Sequence, residues 1–182
     1  KAFKAMGAKV LRKNNNIELT TKKLKGARIF LDRPSTTATE NIMIAASLAE
    51  GTTVIENAEK VPEIIDLARF LKSMGAKIKG EGSSIIKIKG VKRLTGANHN
   101  IIPDTFEAGT YMVAAAITRG EVEIKSCNLD HLEAVVTKLE EAGVEIEPQL
   151  DGARVRVQGD LKPINVKTRP YPGFPTDMQA QV

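Results

Sequence analysis

The sequence predicts a mixed α/β (α+β) fold built from repeated βαβαββ units, and three observations predict it. Closely similar phrases recur: AMGAKV at residues 5–10, SMGAKI at 73–78 and EAGVEI at 141–146. Gly7, Gly75 and Gly143 therefore lie 68 residues apart in both intervals. A second register agrees, since AASLAEGTTVI at 45–55 matches AAAITRGEVEI at 114–124, with Gly51 and Gly120 separated by 69. Between these marks, helical apolar spacing alternates with short β-branched runs, as in a repeat whose units need neighbours to bury their faces.

Taken in order, residues 1–25 read as the closing helix and two strands of an earlier unit. Residues 27–31 alternate as a strand, and residues 39–50 carry helical spacing through Ile42, Ala45, Ala46 and Ala49. Gly51 is expected to end that helix, because glycine tolerates the left-handed conformation. Residues 52–55 form a β-branched strand. Pro62 then opens a second helix with Ile64, Leu67, Ala68 and Leu71 on one face, closed by Gly75. Two strands, Lys77–Lys79 and Ile85–Lys89, are joined by a turn containing Gly80 and Gly82, which is no phosphate loop because no helix follows it. The next copy spans about residues 100–159, with helices near 105–117 and 132–141. A third copy is expected to open at Ile164 and to start its first helix just after Pro175. A chain that begins and ends inside repeats is expected to be a segment of a longer polypeptide.

Composition narrows the class. With 182 residues, 42% hydrophobic and 27% charged, the chain suits one globular domain or two small ones. Apolar runs such as 42–49 fall far short of the roughly 20 residues a membrane helix needs, and residues 1–10 lack the features of a secretory signal. A cytoplasmic location and no membrane partner are expected. Cys127 is the single cysteine, which excludes an internal disulfide framework and a cysteine zinc cluster. The net charge of +5 favours anionic partners, while 4% aromatics and no Trp argue against a nucleic-acid stacking platform. Lys22, Lys23 and Lys25 read as a solvated turn.

The repeat places Pro34, Pro103 and Pro175 at one recurring junction, between the first strand and first helix of each copy. Around Pro34 stand Asp32, Arg33, Ser35, Thr36, Thr37 and Thr39, a cation and hydroxyls at a helix start. That pattern serves either simple N-capping or anion binding by free amides and the helix dipole. Asp104 and Asp177 lie at or just past the other prolines, where a carboxylate either stabilises the first turn or, given a substrate proton in reach, acts as a base. Cys127 follows an apolar strand without a histidine partner and reads as a structural thiol. His99 and His131 lack metal-ligand spacing, so neither a metal nor a cofactor is expected.

These residues resemble the enolpyruvyl transferases, and within them the branch that acts on UDP-N-acetylglucosamine. PGFPTDMQAQ at 172–181 carries the resemblance most specifically, supported by TENIMIAASLAEGTTVIENA at 39–58, PEIIDLARFLKSMGAKI at 62–78 and HLEAVVTKLEEAG at 131–143. The resemblance implies an inside-out α/β barrel, with two similar domains of three βαβαββ units each. Residues 1–102 would be the later part of one domain and 103–182 the early part of the other, with the substrate cleft between. It further implies transfer of enolpyruvyl from phosphoenolpyruvate to the 3-hydroxyl of UDP-N-acetylglucosamine, releasing phosphate in peptidoglycan synthesis. Asp177 would take the hydroxyl proton, and Arg33, Pro34, Ser35, Thr36 and Thr37 would lie along the nucleotide-sugar diphosphate.

The chain departs from the family pattern in three places. Ser35-Thr36-Thr37 stands for Ser-Val-Gly, Thr105 for a usual arginine and Val61 for a usual glutamate. The family's catalytic cysteine loop and its phosphoenolpyruvate-gripping arginines and lysine match nothing here, Cys127 included, so the segment alone is expected not to turn over. Two alternatives stand beside this expectation: a shikimate-type transferase, and a basic nucleic-acid-binding module of repeated α/β units.

Overall fold

A computed structural model describes residues 1–182, which divide into two compact units, Lys1–Ile101 and Ile102–Val182, each with its own hydrophobic core. The first unit opens with a short helix α1 (Ala2–Ala5) and a hairpin of β1 (Lys9–Lys13) and β2 (Asn16–Thr20), whose strands pair only with each other. It continues through β3 (Arg28–Phe30), α2 (Thr36–Ser47), β4 (Thr52–Glu56), α3 (Pro62–Ser73), β5 (Lys77–Lys79) and β6 (Ile85–Lys89).

The sheet order is β3-β4-β6-β5, with β3 parallel to β4 and the other pairs antiparallel. Strict alternation sends Ile29, Ile55, Ile86, Ile88 and Ile78 to one face of this sheet. The same core takes Ile42, Met43 and Ala46 from α2, with Ile64, Ala68 and Leu71 from α3. Each fully buried isoleucine contributes about 1.5–3 kcal/mol of transfer free energy, so this layer dominates the unit's stability.

The second unit contains α4 (Thr105–Ile117), β7 (Glu121–Lys125), a 3-10 turn (Leu129–His131), α5 (Glu133–Glu141), β8 (Val144–Gln149), β9 (Gly152–Val157) and a terminal 3-10 turn (Thr176–Met178). Its sheet, β7-β9-β8, is antiparallel throughout. Met112, Val135, Leu139, Val155 and Met178 are buried together there. The glycine landmarks are structural equivalents: Gly7, Gly75 and Gly143 have φ of +90°, +102° and +96° where each closing helix turns back into a strand.

Four expectations need correction. Helix α2 begins three residues earlier than its apolar spacing indicates, because Ser35 caps it, and it ends at Ser47 with Leu48 as C-cap; Gly51 instead turns the chain into β4. The second copy forms no first strand near residue 100: the segment pairs with nothing, Pro103 lacks a donor and Ile101 is 81% exposed. The third copy forms no strand at Ile164 either, only an isolated bridge between Thr168 and Phe174. Where a helix is expected after Pro175, residues Thr176–Met178 form a single 3-10 turn.

Candidate functional site

All three proline junctions carry residues singled out by sequence, Pro34 in the first unit and Pro103 and Pro175 in the second. In the first unit, the exit from β3 is fixed by two bonds to the β4–α3 loop region. Leu31 N–H donates to the Glu56 carbonyl at 3.0 Å, and Asn57 Nδ2 donates to the Leu31 carbonyl at 2.9 Å. Asn57 itself sits at φ +57°, a conformation asparagine tolerates better than most residues. Ser35 is the N-cap of α2, its Oγ accepting from Ala38 N–H at 3.4 Å. Buried Thr39 then ties the cap inward: its Oγ1 donates to the Ser35 carbonyl at 2.8 Å and accepts from Glu59 N–H at 3.1 Å.

This junction combines both readings left open by the sequence. The cap is made, yet the N–H groups of Thr36 and Thr37 have no intrahelical acceptor. No acidic residue stands in the first turn of α2, and Arg33 is exposed beside it. The junction at Pro103 differs. Asp104 caps α4 with bonds from Phe106 N–H at 2.9 Å and Glu107 N–H at 3.0 Å, and Glu107 adds a second negative charge. An anion is favoured at the first helix end and opposed at the second.

Asp177 occupies the terminal 3-10 turn of the second unit. Phe174 and Met178 on either side of it are 4% and 0% exposed. Met178 fits against α4 at Gly109, where a Cβ would stand 3.0 Å from its Cε. Gln181 Nε2 donates to Thr110 Oγ1 of the same helix at 3.2 Å. The turn is thus fastened by its apolar residues while Asp177 stays exposed, with one long bond from Thr176 Oγ1 at 3.4 Å. An exposed carboxylate on a fixed turn can accept a proton from a ligand without breaking a folded-state ion pair.

Other titratable groups are engaged in structure. Cys127 is half-buried, its Sγ 3.7 Å from the Ile124 carbonyl, and burial followed by the Asp151 charge pushes its thiol up, away from nucleophilic use. His131 Nε2 lies 3.1 Å from Asn128 Nδ2. His99 was missed by sequence reading as a structural group. Its Nε2 lies 2.9 Å from Asp66 Oδ1 and its ring stacks on Phe70 at 5.1 Å, docking His99 on α3. No group of three His, Cys, Asp or Glu is arranged to hold a metal ion.

Glu40, on the second turn of α2, has its carboxyl raised first by burial and then by the charge of Glu63 on α3. A raised carboxyl in the folded state means that ionisation opposes folding. The cost is absent below the unfolded carboxylate pKa and fully present above the folded one. Glu40→Gln is expected to raise the unfolding midpoint at neutral pH, with the gain shrinking as pH falls. Thermal melts of both forms between about pH 4 and pH 8 read this directly.

The model of the family described as EPSP synthase (3-phosphoshikimate 1-carboxyvinyltransferase) matches residues 1–182. UDP-N-acetylglucosamine 1-carboxyvinyltransferase of Halothermothrix orenii is 54% identical over 182 residues. The relatives numbered 2 in Carboxydothermus hydrogenoformans and 1 in Staphylococcus aureus, with the same name, are 54% and 53% identical. Each match covers all of this chain, which spans 44% of the length of these relatives. Among solved structures, the enolpyruvyl transferase NikO from Streptomyces tendae superposes with a TM-score of 0.83 at 19% identity, over 99% of this chain and 46% of that one, a likeness of fold. EPSP synthase from Acinetobacter baumannii gives 0.63 at 26% identity, over 90% and 40%.

Proposed function

The chain belongs to the EPSP synthase (3-phosphoshikimate 1-carboxyvinyltransferase) family, and on that premise we propose that it is part of an enzyme moving enolpyruvyl from phosphoenolpyruvate to the 3-hydroxyl of UDP-N-acetylglucosamine. One observation carries the choice of acceptor: identity of 53–54% along the whole chain to three proteins named for that substrate. In the reaction, the acceptor oxygen bonds to the central carbon of phosphoenolpyruvate, the carbon–oxygen bond to phosphate breaks, and phosphate leaves. The role in cell-wall precursor synthesis, and so in cell shape and division, belongs to the same proposal. So does a cytoplasmic location, which suits two anionic, membrane-impermeant substrates. Residues 1–102 are assigned to the later part of a first domain and 103–182 to the early part of a second.

Within this reading Arg33, Pro34, Ser35, Thr36 and Thr37 bind the diphosphate, and Asp177 accepts the hydroxyl proton. The support for the first is physical: a helix end with free amides, no acid in its first turn and an exposed arginine is suited to phosphate. Thr37 adds a side chain where the family pattern has glycine. Arg33→Ala is expected to raise KM for the sugar nucleotide about 10- to 100-fold with kcat little changed, the signature of a lost charge-assisted bond to bound substrate.

The shikimate-type alternative is less favoured, and rests on the family description and on the Acinetobacter baumannii structure at 26% identity. Phosphate release by the natural full-length enzyme, assayed with UDP-N-acetylglucosamine and separately with shikimate 3-phosphate, decides between them. Turnover only with the second acceptor overturns the proposal.

A further inference from the structure

The two sheets present opposite electrostatics at equivalent positions. In the second unit, Arg154 and Arg156 of β9 lie between Glu121 and Glu123 of β7 and Glu145 and Glu147 of β8. The arginines pair there: Arg154 Nε donates to Glu121 at 2.6 Å, and Arg156 to Glu145 at 2.7 Å and to Glu147 at 2.8 Å. In the first unit the matching ladder is β4-β6-β5. Lys87 and Lys89 replace the arginines, and Lys77 and Lys79 stand where the second unit has Glu145 and Glu147. On the other side Thr52 and Val54 replace the remaining glutamates.

Four lysines therefore share one exposed sheet face, Lys77 directly opposite Lys89 and Lys79 opposite Lys87, and none makes an ion pair. Like charges directly opposite destabilise an antiparallel pair, so folding alone does not favour this grid. The same face carries Phe30 and Ile85, 60% and 53% exposed, in register across Glu56. The Glu56 carboxylate between them is taken up by Arg28.

We propose that this face docks on an anionic phospholipid surface. Lysine ammoniums suit headgroup phosphates as point charges without demanding planar, bidentate geometry. Four lysines match the smallest basic cluster read as lipid-binding, and a neighbouring phenylalanine and isoleucine can enter the headgroup region. A nucleic-acid strand would favour more aromatics and arginine than one phenylalanine and one engaged arginine. The sequence expectation of no membrane partner rested on the lack of a spanning segment. No helix here is long and apolar enough to cross a membrane, and a face that lies on the surface needs none.

Flotation of the full-length protein tests this with two vesicle types, phosphatidylcholine alone and phosphatidylcholine with about a third phosphatidylglycerol. Binding is expected only to the second, lost in about 0.5 M salt, and weakened about fivefold by each of Lys77→Gln, Lys79→Gln, Lys87→Gln and Lys89→Gln. The quadruple variant should keep wild-type turnover, and its unfolding midpoint should rise as the like-charge pairs are neutralised, which separates this proposal both from the assigned reaction and from a purely structural role. Equal binding to both vesicles, or undiminished binding of the single variants, overturns it. So does lysine-dependent binding of polyuridylate by a protein that ignores the vesicles, which would assign the face to nucleic acid.

Discussion

Replacing Asp177 by alanine is expected to lower kcat of the full-length enzyme by about two to four orders of magnitude, the range a positioned general base supplies. The effect should fall on kcat more than on KM for the sugar nucleotide, because in the proposed role the carboxylate acts on a proton and not on the diphosphate. Stability should hardly change. Asp177 is exposed and takes part only in the long contact with Thr176, while the turn is anchored by Phe174 and Met178. Asp177→Asn is the stricter test, since it keeps shape and removes basicity. Steady-state kinetics of both variants, alongside their melting curves, give the answer: an asparagine variant with wild-type kcat would remove Asp177 from proton transfer.

The largest stability effect is expected at Gly152. It opens β9 at φ +133°, opposite both Lys125 of β7 and Gln149 of β8, and a methyl group there would overlap the Ile124 carbonyl. Gly152→Ala thus combines a conformation alanine rarely adopts with a backbone collision at the first residue of the sheet's central strand. A loss of more than about 3 kcal/mol is expected, beyond the common range for point substitutions. Gly159→Ala is the control. Its φ is ordinary and a Cβ meets nothing within 4 Å, so its effect should stay within about 0.5 kcal/mol. Urea unfolding midpoints of the two variants compare them; similar midpoints would refute the packing argument.

Much of the fold was legible because its signals are local. The repeat glycines appear at matching helix ends, and Lys77–Lys79, Ile85–Lys89 and Thr105–Ile117 have the bounds that alternation and helical spacing assign. The misplaced end of α2 shows the limit of that reading, since Ala49 is buried like a helix residue although the helix has stopped at Ser47. Burial follows position in the core, not hydrogen-bonding pattern. The strands expected near residues 100 and 164 fail for a related reason: a strand exists only when a partner completes its hydrogen bonds, and partner choice is not a local property.

The candidate site divides in the same way. Residue order by itself singled out the proline junctions as candidate sites, because capping hydroxyls, a cation and carboxylates stand there within a few positions of one another. It also determined that Cys127 lacks a nucleophile's surroundings, as the raised thiol agrees. Only the tertiary structure decided which junction is open to an anion. Asp104 satisfies the amides of α4 with its own carboxylate, whereas Ser35 leaves those of Thr36 and Thr37 free while Thr39, Asn57 and Glu59, from segments about 20 residues apart, hold its carbonyl and the strand exit in place. The contrast between the two sheet faces is likewise invisible along the chain. Lys77 and Lys89 become neighbours only through strand register, and it is the register that puts glutamates against arginines in one sheet and lysine against lysine in the other.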